Sequence, residues 1–292
     1  MIRPHHFRSN PETRGDNAFQ RDSVGDVAAT ARAEFDTVVD TLRDYGVTVH
    51  DFDDTSTDTP DSVFPNNWFS THAGGHVAVY PMYAANRRRE RRWDVIDLLK
   101  TQYRVQDIID YSGLEHDGLA LEGTGAMVLD HIGRVAFVAR SHRADPVLLE
   151  RFCTNFNFEP IAFDAADAQG KPVYHTNVLM AVGTGAALVG LDMIGDPARR
   201  DMVKSRLAET GRDVITLSEQ QINEFAGNAL ELEGRDGLIF ALSARALAAL
   251  DADQTARIEA TARIMPLTIP TIETAGGSVR CMIAGLHLSR RT

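Results

Sequence analysis

The chain has 292 residues, of which 43% are hydrophobic and 24% charged, so it can bury a full core and is not a disordered polymer. Its 41 acidic residues exceed its 30 basic ones, and the net charge is −11. This balance argues against a nucleic-acid surface or adhesion to an anionic membrane, and it favours a small-molecule partner. There is no apolar run of membrane-spanning length, and the N-terminus lacks the apolar core of a signal peptide, so we expect a cytoplasmic protein.

The first elements are predicted from hydrophobic spacing. Residues 24–45 carry apolar side chains, beginning with Val24, at helical intervals, and Gly46 ends the pattern. A strand-like run over 47–52 follows, and then a polar loop. Two apolar runs, 67–71 and 76–80, are separated by a Gly-Gly pair and predict a β-hairpin.

The same order then recurs along the chain. The helix, strand and hairpin of the next three passes are predicted at 87–100, 103–109 and 125–139; at 145–154, 158–163 and 177–191; and at 196–209, 213–217 and 228–242. The last pass has helical sequence over 243–263, a strand over 264–269, and an apolar strand that starts at Cys281. Hairpin starts at 67, 125, 177, 228 and 281 indicate five similar units.

A repeat near fifty residues with one sheet per unit predicts a closed radial array that forms a single domain over 1–292. The strand after Cys281 has no second arm downstream, so the N-terminal segment must complete the last sheet. The alternative is a generic α/β protein with uneven loops.

Residues that can carry chemistry fall at one phase of this repeat. In a radial array, equivalent positions of successive units face one axis, so residues a hundred apart in sequence would share a pocket. Each residue taken alone has an ordinary structural explanation, as a turn residue, a surface carboxylate or a core histidine. The residues at this phase are Asn66, Asn67, Glu122, His175, Asn177 and Cys281.

Cys281 follows the segment Gly276-Gly277-Ser278-Val279-Arg280, where the glycines allow a close backbone approach. We interpret Cys281 as a nucleophile, although a lone cysteine is more often a small buried hydrophobe. Cys153 lies in a predicted helix and is assigned to the core. The two cysteines have no CxxC spacing, so neither a disulfide nor a cysteine metal site is expected, and no cofactor is predicted.

Several segments in order resemble the motifs of the guanidine-modifying enzyme superfamily, which includes arginine deiminases, dimethylarginine hydrolases and amidinotransferases. The matching segments are Pro60-Asp61-Ser62-Val63-Phe64-Pro65-Asn66-Asn67, Arg87-Arg88-Arg89-Glu90, Leu121-Glu122-Gly123, Ser141-His142-Arg143, His175-Thr176-Asn177 and Gly276-Gly277 with Cys281. The resemblance implies an α/β fold, the five-bladed pseudo-fivefold α/β-propeller (pentein). It also implies that Cys281 is the covalent nucleophile, His175 the general acid/base and Glu122 the orienting carboxylate.

The chain departs from that pattern by carrying Asn66, Asn67 and Asn177 where relatives carry acids. A guanidinium cation is held by carboxylates, whereas a neutral ureido group needs both donors and acceptors, which asparagine supplies. The pattern is therefore similar to the citrulline-hydrolysing branch, which yields ornithine, carbon dioxide and ammonia. Asp61 would hold the α-ammonium, and Arg87 and Arg143 the α-carboxylate, although Arg88 and Arg89 remain alternatives to Arg87.

Two other classes of function remain open at this point. One is a guanidine hydrolase or an amidinotransferase that uses the same Cys–His–Glu set. The other is a non-enzymatic propeller that binds a partner. We expect a small amino-acid substrate, no metal, and neither nucleic acid nor membrane as a partner. Whether the chain forms a homo-oligomer is left open by the sequence.

Overall fold

The computed structural model describes residues 1–21 and 26–291, and it contains five small sheets. The strands are β1 Ile2–Pro4, β2 Phe52–Asp54, β3 Phe69–His72, β4 His76–Val79, β5 Asp107–Asp110, β6 Val128–Asp130, β7 Val135–Ala139, β8 Glu159–Phe163, β9 Met180–Val182, β10 Ala186–Val189, β11 Asp213–Thr216, β12 Leu230–Gly234, β13 Gly237–Ser243 and β14 Arg263–Leu267.

The described part of the chain has eleven α-helices, of which the longer ones connect the strands of each sheet and the last two follow β14. They are α1 Val27–Asp44, α2 Trp93–Gln102, α3 Gly123–Ala126, α4 Pro146–Phe156, α5 Thr176–Leu179, α6 Pro197–Ala208, α7 Glu219–Asn223, α8 Ala244–Ala249, α9 Ala252–Glu259, α10 Pro270–Glu273 and α11 Val279–Met282. None of these described helices is both long enough and apolar enough to cross a bilayer.

Four of the sheets share one topology. Two strands form an antiparallel hairpin, and a helical crossover brings the third strand back parallel to the second arm. In the first such sheet Phe69 pairs with Val79, and His76 pairs with Asp107. Because each sheet buries its faces against neighbouring units and helices, the repeat closes only as an array. The predicted α/β-propeller of five units is confirmed.

The fifth sheet contains β1 and β2, which run parallel. β1 occupies the place of the second hairpin arm, and α1 forms the crossover to β2, as predicted for the N-terminal segment. The segment after Cys281 packs beside it, since Leu288 and Ile2 belong to one core cluster. The two ends of the chain therefore meet in one unit.

The predicted strand starting at Cys281 is wrong. Cys281 lies in the single helical turn α11, and the described residues that follow, up to 291, form no strand apart from a bridge between Tyr103 and Arg290. Thr71 holds this segment instead, since its hydroxyl donates to the Gly285 carbonyl at 3.0 Å and accepts from the His287 N–H at 2.8 Å. A short apolar run does not distinguish a buried turn from a strand, which explains the error.

Single helical turns stand at most of the predicted hairpin starts. The 3₁₀ turn Pro65–Asn67 and the turns α3, α5 and α11 each precede the strand or extended segment of their unit. The strands consequently begin two or more residues later than predicted. These turns carry the residues of the predicted common phase.

Helix α1 has the predicted amphipathic pattern, with Phe35, Val38 and Leu42 buried. Its N-cap is Asp26, whose side chain accepts from the Ala29 N–H. The helix was predicted to start at Val24, which lies outside the described residues.

The predicted helix over 87–100 is divided in two. A 3₁₀ turn covers Asn86–Glu90, and α2 begins at Trp93 after an extended backbone at Arg91 and Arg92. The break arises because Arg87 is only 2% exposed and bonds inward to Glu90, so this arginine run is not a uniformly solvated helix face.

Two buried histidines make stability depend on pH. Burial lowers the pKa of His72 to about 3 and that of His175 to about 4. The unfolded chain therefore binds more protons than the folded chain between about pH 6.5 and these values, and stability falls as the pH falls through that window. We expect the Tm of His72→Gln to decrease less than the Tm of the wild type when the pH is lowered from 7 to 4. His116 is exposed, so His116→Gln should show the same change in Tm with pH as the wild type. The same change in Tm with pH for all three proteins would show that buried His72 does not contribute to the pH dependence of stability.

Candidate active site

Glu122 and His175 form the centre of the site. Glu122 immediately precedes α3, His175 immediately precedes α5, and both side chains are buried. The ring nitrogen Nε2 of His175 lies 2.8 Å from Oε2 of Glu122. An ionised carboxylate can only accept, so Nε2 carries the proton and Nδ1 keeps its lone pair. Gly125 lies against this ring, where a Cβ would come within 2.9 Å of Nδ1.

The pKa values of this pair follow from burial and from neighbouring arginines. Burial lowers the pKa of His175 to about 4, and its hydrogen bond to Glu122 only partly offsets this. Burial alone would raise the pKa of Glu122, but Arg143, His175 and Arg87 hold it far below its usual range. At neutral pH the pair is thus an ionised carboxylate and a neutral imidazole, which can accept a proton.

Cys281 is buried on α11, and its hydrogen-bond partners are two amides. Nδ2 of Asn177 and Nδ2 of Asn228 each lie 3.3 Å from Sγ and donate to it. His175 was expected to act as the general acid/base beside Cys281, but no hydrogen bond joins the two side chains in the described structure. Both side chains line the same small cavity. The two amides thus contact the sulfur directly, while His175 faces the space where a substrate would lie.

Arg87 is the arginine of the 87–89 run that reaches the cavity. It binds both oxygens of Glu90 at 2.9 Å and lies 3.6 Å from Glu122. Arg88 bonds to the Met82 carbonyl at 3.1 Å, and the side chain of Arg89 is 66% exposed. Of the three arginines, Arg87 is therefore the one placed to meet a ligand.

Arg143 also lines the cavity, and it is bound by an acid that the sequence did not single out. Nε and Nη2 of Arg143 donate to the two oxygens of Asp16 at 2.8 and 2.6 Å. Its guanidinium also lies 3.4 Å from Glu122 and over the ring of Tyr174. This bidentate geometry is the one that a guanidinium uses for any carboxylate, including that of an amino acid.

Asp61 contributes a carboxylate with one free oxygen. Its Oδ2 accepts from Asn10 Nδ2 at 2.7 Å, whereas its Oδ1 is buried without a hydrogen-bond partner among the described residues. Burial raises the pKa of Asp61, and Arg87 opposes that shift. A buried acceptor without a partner costs free energy, so this oxygen is suited to receive a ligand donor.

The predicted asparagines take different positions. With its amide oriented to satisfy its neighbours, Asn67 accepts from Arg87 at 2.8 and 3.1 Å and donates to Asn66 Oδ1 at 3.0 Å. Asn67 lines the cavity, whereas Asn66 and Asn177 do not. Asn177 contacts the sulfur, and its Oδ1 is buried without a partner in the described part of the chain.

Asn228 was missed at the sequence level. It donates to Sγ of Cys281 and to the Asn177 carbonyl, and it accepts from the Arg280 N–H. Position 228 is the predicted start of the fourth hairpin, so Asn228 lies at the same phase of the repeat as the other site residues. Asp16 offered no such signal, because the N-terminal loop lies outside the repeat.

A family model for eukaryotic N,N dimethylarginine dimethylhydrolase matches residues 3–288. The chain belongs to this family. The superfamily predicted from the motifs is confirmed, and with it a cysteine-dependent hydrolase that acts on C–N bonds of linear amidine-type compounds. The binding-only alternative is therefore set aside. A sequence comparison with curated proteins found no match.

Solved structures with the same fold include the N-terminal domain of ArgZ, an arginine dihydrolase from the ornithine–ammonia cycle in Cyanobacteria. It is 16% identical with a TM-score of 0.75, over 99% of this chain and 96% of that chain. AgrE in complex with ornithine and NAD⁺ is 18% identical with a TM-score of 0.74, over 100% of this chain but only 38% of that chain. A dimethylarginine dimethylaminohydrolase adduct is 11% identical with a TM-score of 0.63, over 90% and 92%.

The described residues contain no group of three or more His, Cys, Asp or Glu side chains that could hold a metal ion.

Proposed function

We propose that this protein hydrolyses the ureido group of citrulline to ornithine, carbon dioxide and ammonia. The observation that carries the proposal is the set of neutral amides at the nucleophile, Asn177 and Asn228. Glu122, the carboxylate that binds His175, is also bound by two arginines. A guanidinium beside the sulfur would lack a carboxylate there, because the free oxygen of Asp61 is assigned to the α-ammonium group, whereas the unpartnered Oδ1 of Asn177 can accept from a ureido N–H.

The reaction proceeds through a covalent intermediate. The Cys281 sulfur attacks the ureido carbon, and its proton passes to His175. The C–N bond to the terminal nitrogen then breaks, His175 returns the proton, and ammonia leaves an S-carbamoyl-type intermediate on Cys281. Water activated by His175 attacks this carbon, the C–S bond breaks, and the carbamate released decomposes to ornithine and carbon dioxide. Glu122 holds the imidazole orientation throughout.

The amino-acid end of the substrate is held by charge. The free Oδ1 of Asp61 accepts the α-ammonium group, and Arg143 binds the α-carboxylate with help from Arg87. The Asp16 carboxylate binds the Arg143 guanidinium in this structure, and the cavity has a volume of only about 10 Å³. Ligand pockets span about 300–1,000 Å³. Entry of citrulline thus requires the loop bearing Asp16 to withdraw, and the substrate carboxylate then replaces that of Asp16.

A guanidine substrate is the second candidate. It is favoured by the family, whose name refers to dimethylarginine, and by the likeness to ArgZ, an arginine dihydrolase. The deciding experiment is mass spectrometry and ammonia release with citrulline, arginine and dimethylarginine as separate substrates. One ammonia per ornithine from citrulline, with slower turnover of arginine, supports the proposal. Wild-type protein that turns over arginine faster than citrulline would refute it, and amidino transfer to glycine would instead identify a transferase.

Restoring acids tests the role of the asparagines. We expect Asn177→Asp to lower kcat/KM for citrulline by at least about tenfold, because a carboxylate beside the sulfur disfavours the thiolate. Asn67→Asp should lower kcat/KM less, because the Arg87 guanidinium that contacts this side chain would neutralise the new carboxylate. The double variant should bind arginine better than wild type in inhibition assays. Asn155→Asp, which changes an amide bonded to Tyr111 outside the site, should match wild type. Equal kcat/KM for citrulline in Asn177→Asp and Asn155→Asp would contradict the proposed role of the Asn177 amide.

A further inference from the structure

A second cavity, of about 220 Å³, lies on the axis of the propeller. It is lined by the first strands of four units, β3, β6, β9 and β12, and by the segment 285–287 that takes the corresponding place in the fifth. It shares no lining residue with the cavity at Cys281. The helical turn α11 separates the two, because Cys281 faces one cavity and Arg280 the other.

Arg280 is a half-buried cation without an acid. Its Nη1 donates to the Ile283 carbonyl at 3.0 Å, and no carboxylate lies within ion-pair distance of it in the described part of the chain. Arginine is always protonated, and a partly desolvated guanidinium without a counter-charge is unfavourable. The other arginine lining the cavity, Arg212, is neutralised by Asp130 at 2.6 and 2.7 Å. Arg280 therefore supplies the cavity with an unpaired positive charge.

Histidines add donors beside Arg280. His131 and His287 are exposed at the mouth of the cavity with ring centroids 4.1 Å apart, and His72 lies deeper, with a buried Nδ1 that has no partner among the described residues. Each ring offers at least one N–H in either protonation state. Glu231, the acid in the lining, accepts from the Thr184 N–H through Oε1 at 2.8 Å, forms no ion pair with Arg280, and has an Oε2 without a partner among the described residues.

We propose that this cavity binds a small oxyanion, a carboxylate or a phosphate, through Arg280, His131 and His287. A path to the nucleophile is built into the same turn. The Arg280 N–H donates to Asn228 Oδ1 at 3.0 Å, and Asn228 Nδ2 donates to Cys281 Sγ. An anion that moves the Arg280 side chain toward the cavity therefore shifts Asn228, which donates to the Cys281 sulfur. This last consequence rests on the proposed function, whereas the binding site does not.

The test is binding, which is independent of turnover. Histidine Hε1 resonances are followed by NMR while inorganic phosphate or sodium acetate is added at constant pH and ionic strength. Saturable shifts of His131 and His287, with His116 unmoved, are expected. Saturation by phosphate alone assigns a phosphate group, and saturation by acetate assigns a carboxylate. Shifts that do not saturate with either anion overturn the proposal.

Variants assign the site. Arg280→Gln should weaken the saturating anion at least tenfold. The matched control Arg290→Gln, which removes an arginine that donates to Thr48 and lines a different cavity, should retain wild-type affinity. His287→Phe provides a second loss-of-binding variant if Arg280→Gln does not fold. Wild-type affinity in both His287→Phe and a folded Arg280→Gln overturns the assignment. Citrulline turnover measured separately in the wild type keeps a failure of the proposed function distinct from a failure of this site.

Discussion

Replacing Cys281 with serine should abolish turnover while leaving substrate binding largely intact. The hydroxyl is a far poorer nucleophile than the thiolate, and Asn177 and Asn228 can still donate to an oxygen at this position. We expect kcat to fall roughly 10⁴- to 10⁶-fold, the range seen when a catalytic nucleophile is removed. Calorimetry with citrulline should give a dissociation constant within a few-fold of the wild-type KM, because Asp61, Arg87 and Arg143 remain in place.

Cys153 provides the matched control. It is buried in the helical core away from the site, and burial raises its pKa to about 12, so its thiol is inert at neutral pH. Cys153→Ser should retain wild-type kcat and should remain sensitive to alkylation. Residual turnover in Cys281→Ser above about one part in a thousand, or loss of activity in a folded Cys153→Ser, would assign the chemistry elsewhere.

Changing Glu122 to glutamine should damage both catalysis and stability. Glu122 is fully buried and is contacted by His175, Arg143 and Arg87. The neutral amide no longer fixes the proton on Nε2 of His175. It also removes a negative charge that partly neutralises Arg87 and Arg143. We expect kcat to fall about 10²- to 10³-fold and the free energy of unfolding to fall by about 3 kcal/mol.

The stability loss carries a pH signature. A carboxylate whose pKa is lowered on folding stabilises the protein above its unfolded pKa of about 4.3, and this contribution disappears as the pH falls toward the lowered value. The difference in unfolding free energy between wild type and Glu122→Gln should therefore be largest near neutral pH and shrink below about pH 4. Urea unfolding at a series of pH values measures it.

Glu115→Gln is the comparison variant. Glu115 is a largely buried carboxylate that binds Arg91 and the Met82 N–H, and it does not line the cavity at Cys281. This variant should lose stability but keep wild-type kcat, which separates positioning of His175 from general weakening of the fold. A Glu122→Gln protein with unchanged kcat and KM would show that the Glu122–His175 contact has no part in the reaction.

The sequence by itself determined the repeat, because hydrophobic period and glycine punctuation are local properties of a chain. Five hairpin starts near fifty-residue intervals were enough to predict five units and the closure of the last one by the N-terminus. The same periodicity placed Glu122, His175 and Cys281 at one phase. Their convergence followed from the symmetry of the array, and motif order identified the superfamily.

The tertiary structure alone decided which side chains touch. The partners of the Cys281 sulfur are amides, Asn67 faces Arg87, and Asp16 from a loop outside the repeat occupies Arg143. The structure also replaced the expected strand at Cys281 by a helical turn. These features depend on contacts between residues 20 to more than 100 positions apart. A periodic pattern fixes which face a residue lies on, but hydrogen-bond partners are chosen by the geometry of the packed units, which no local pattern encodes.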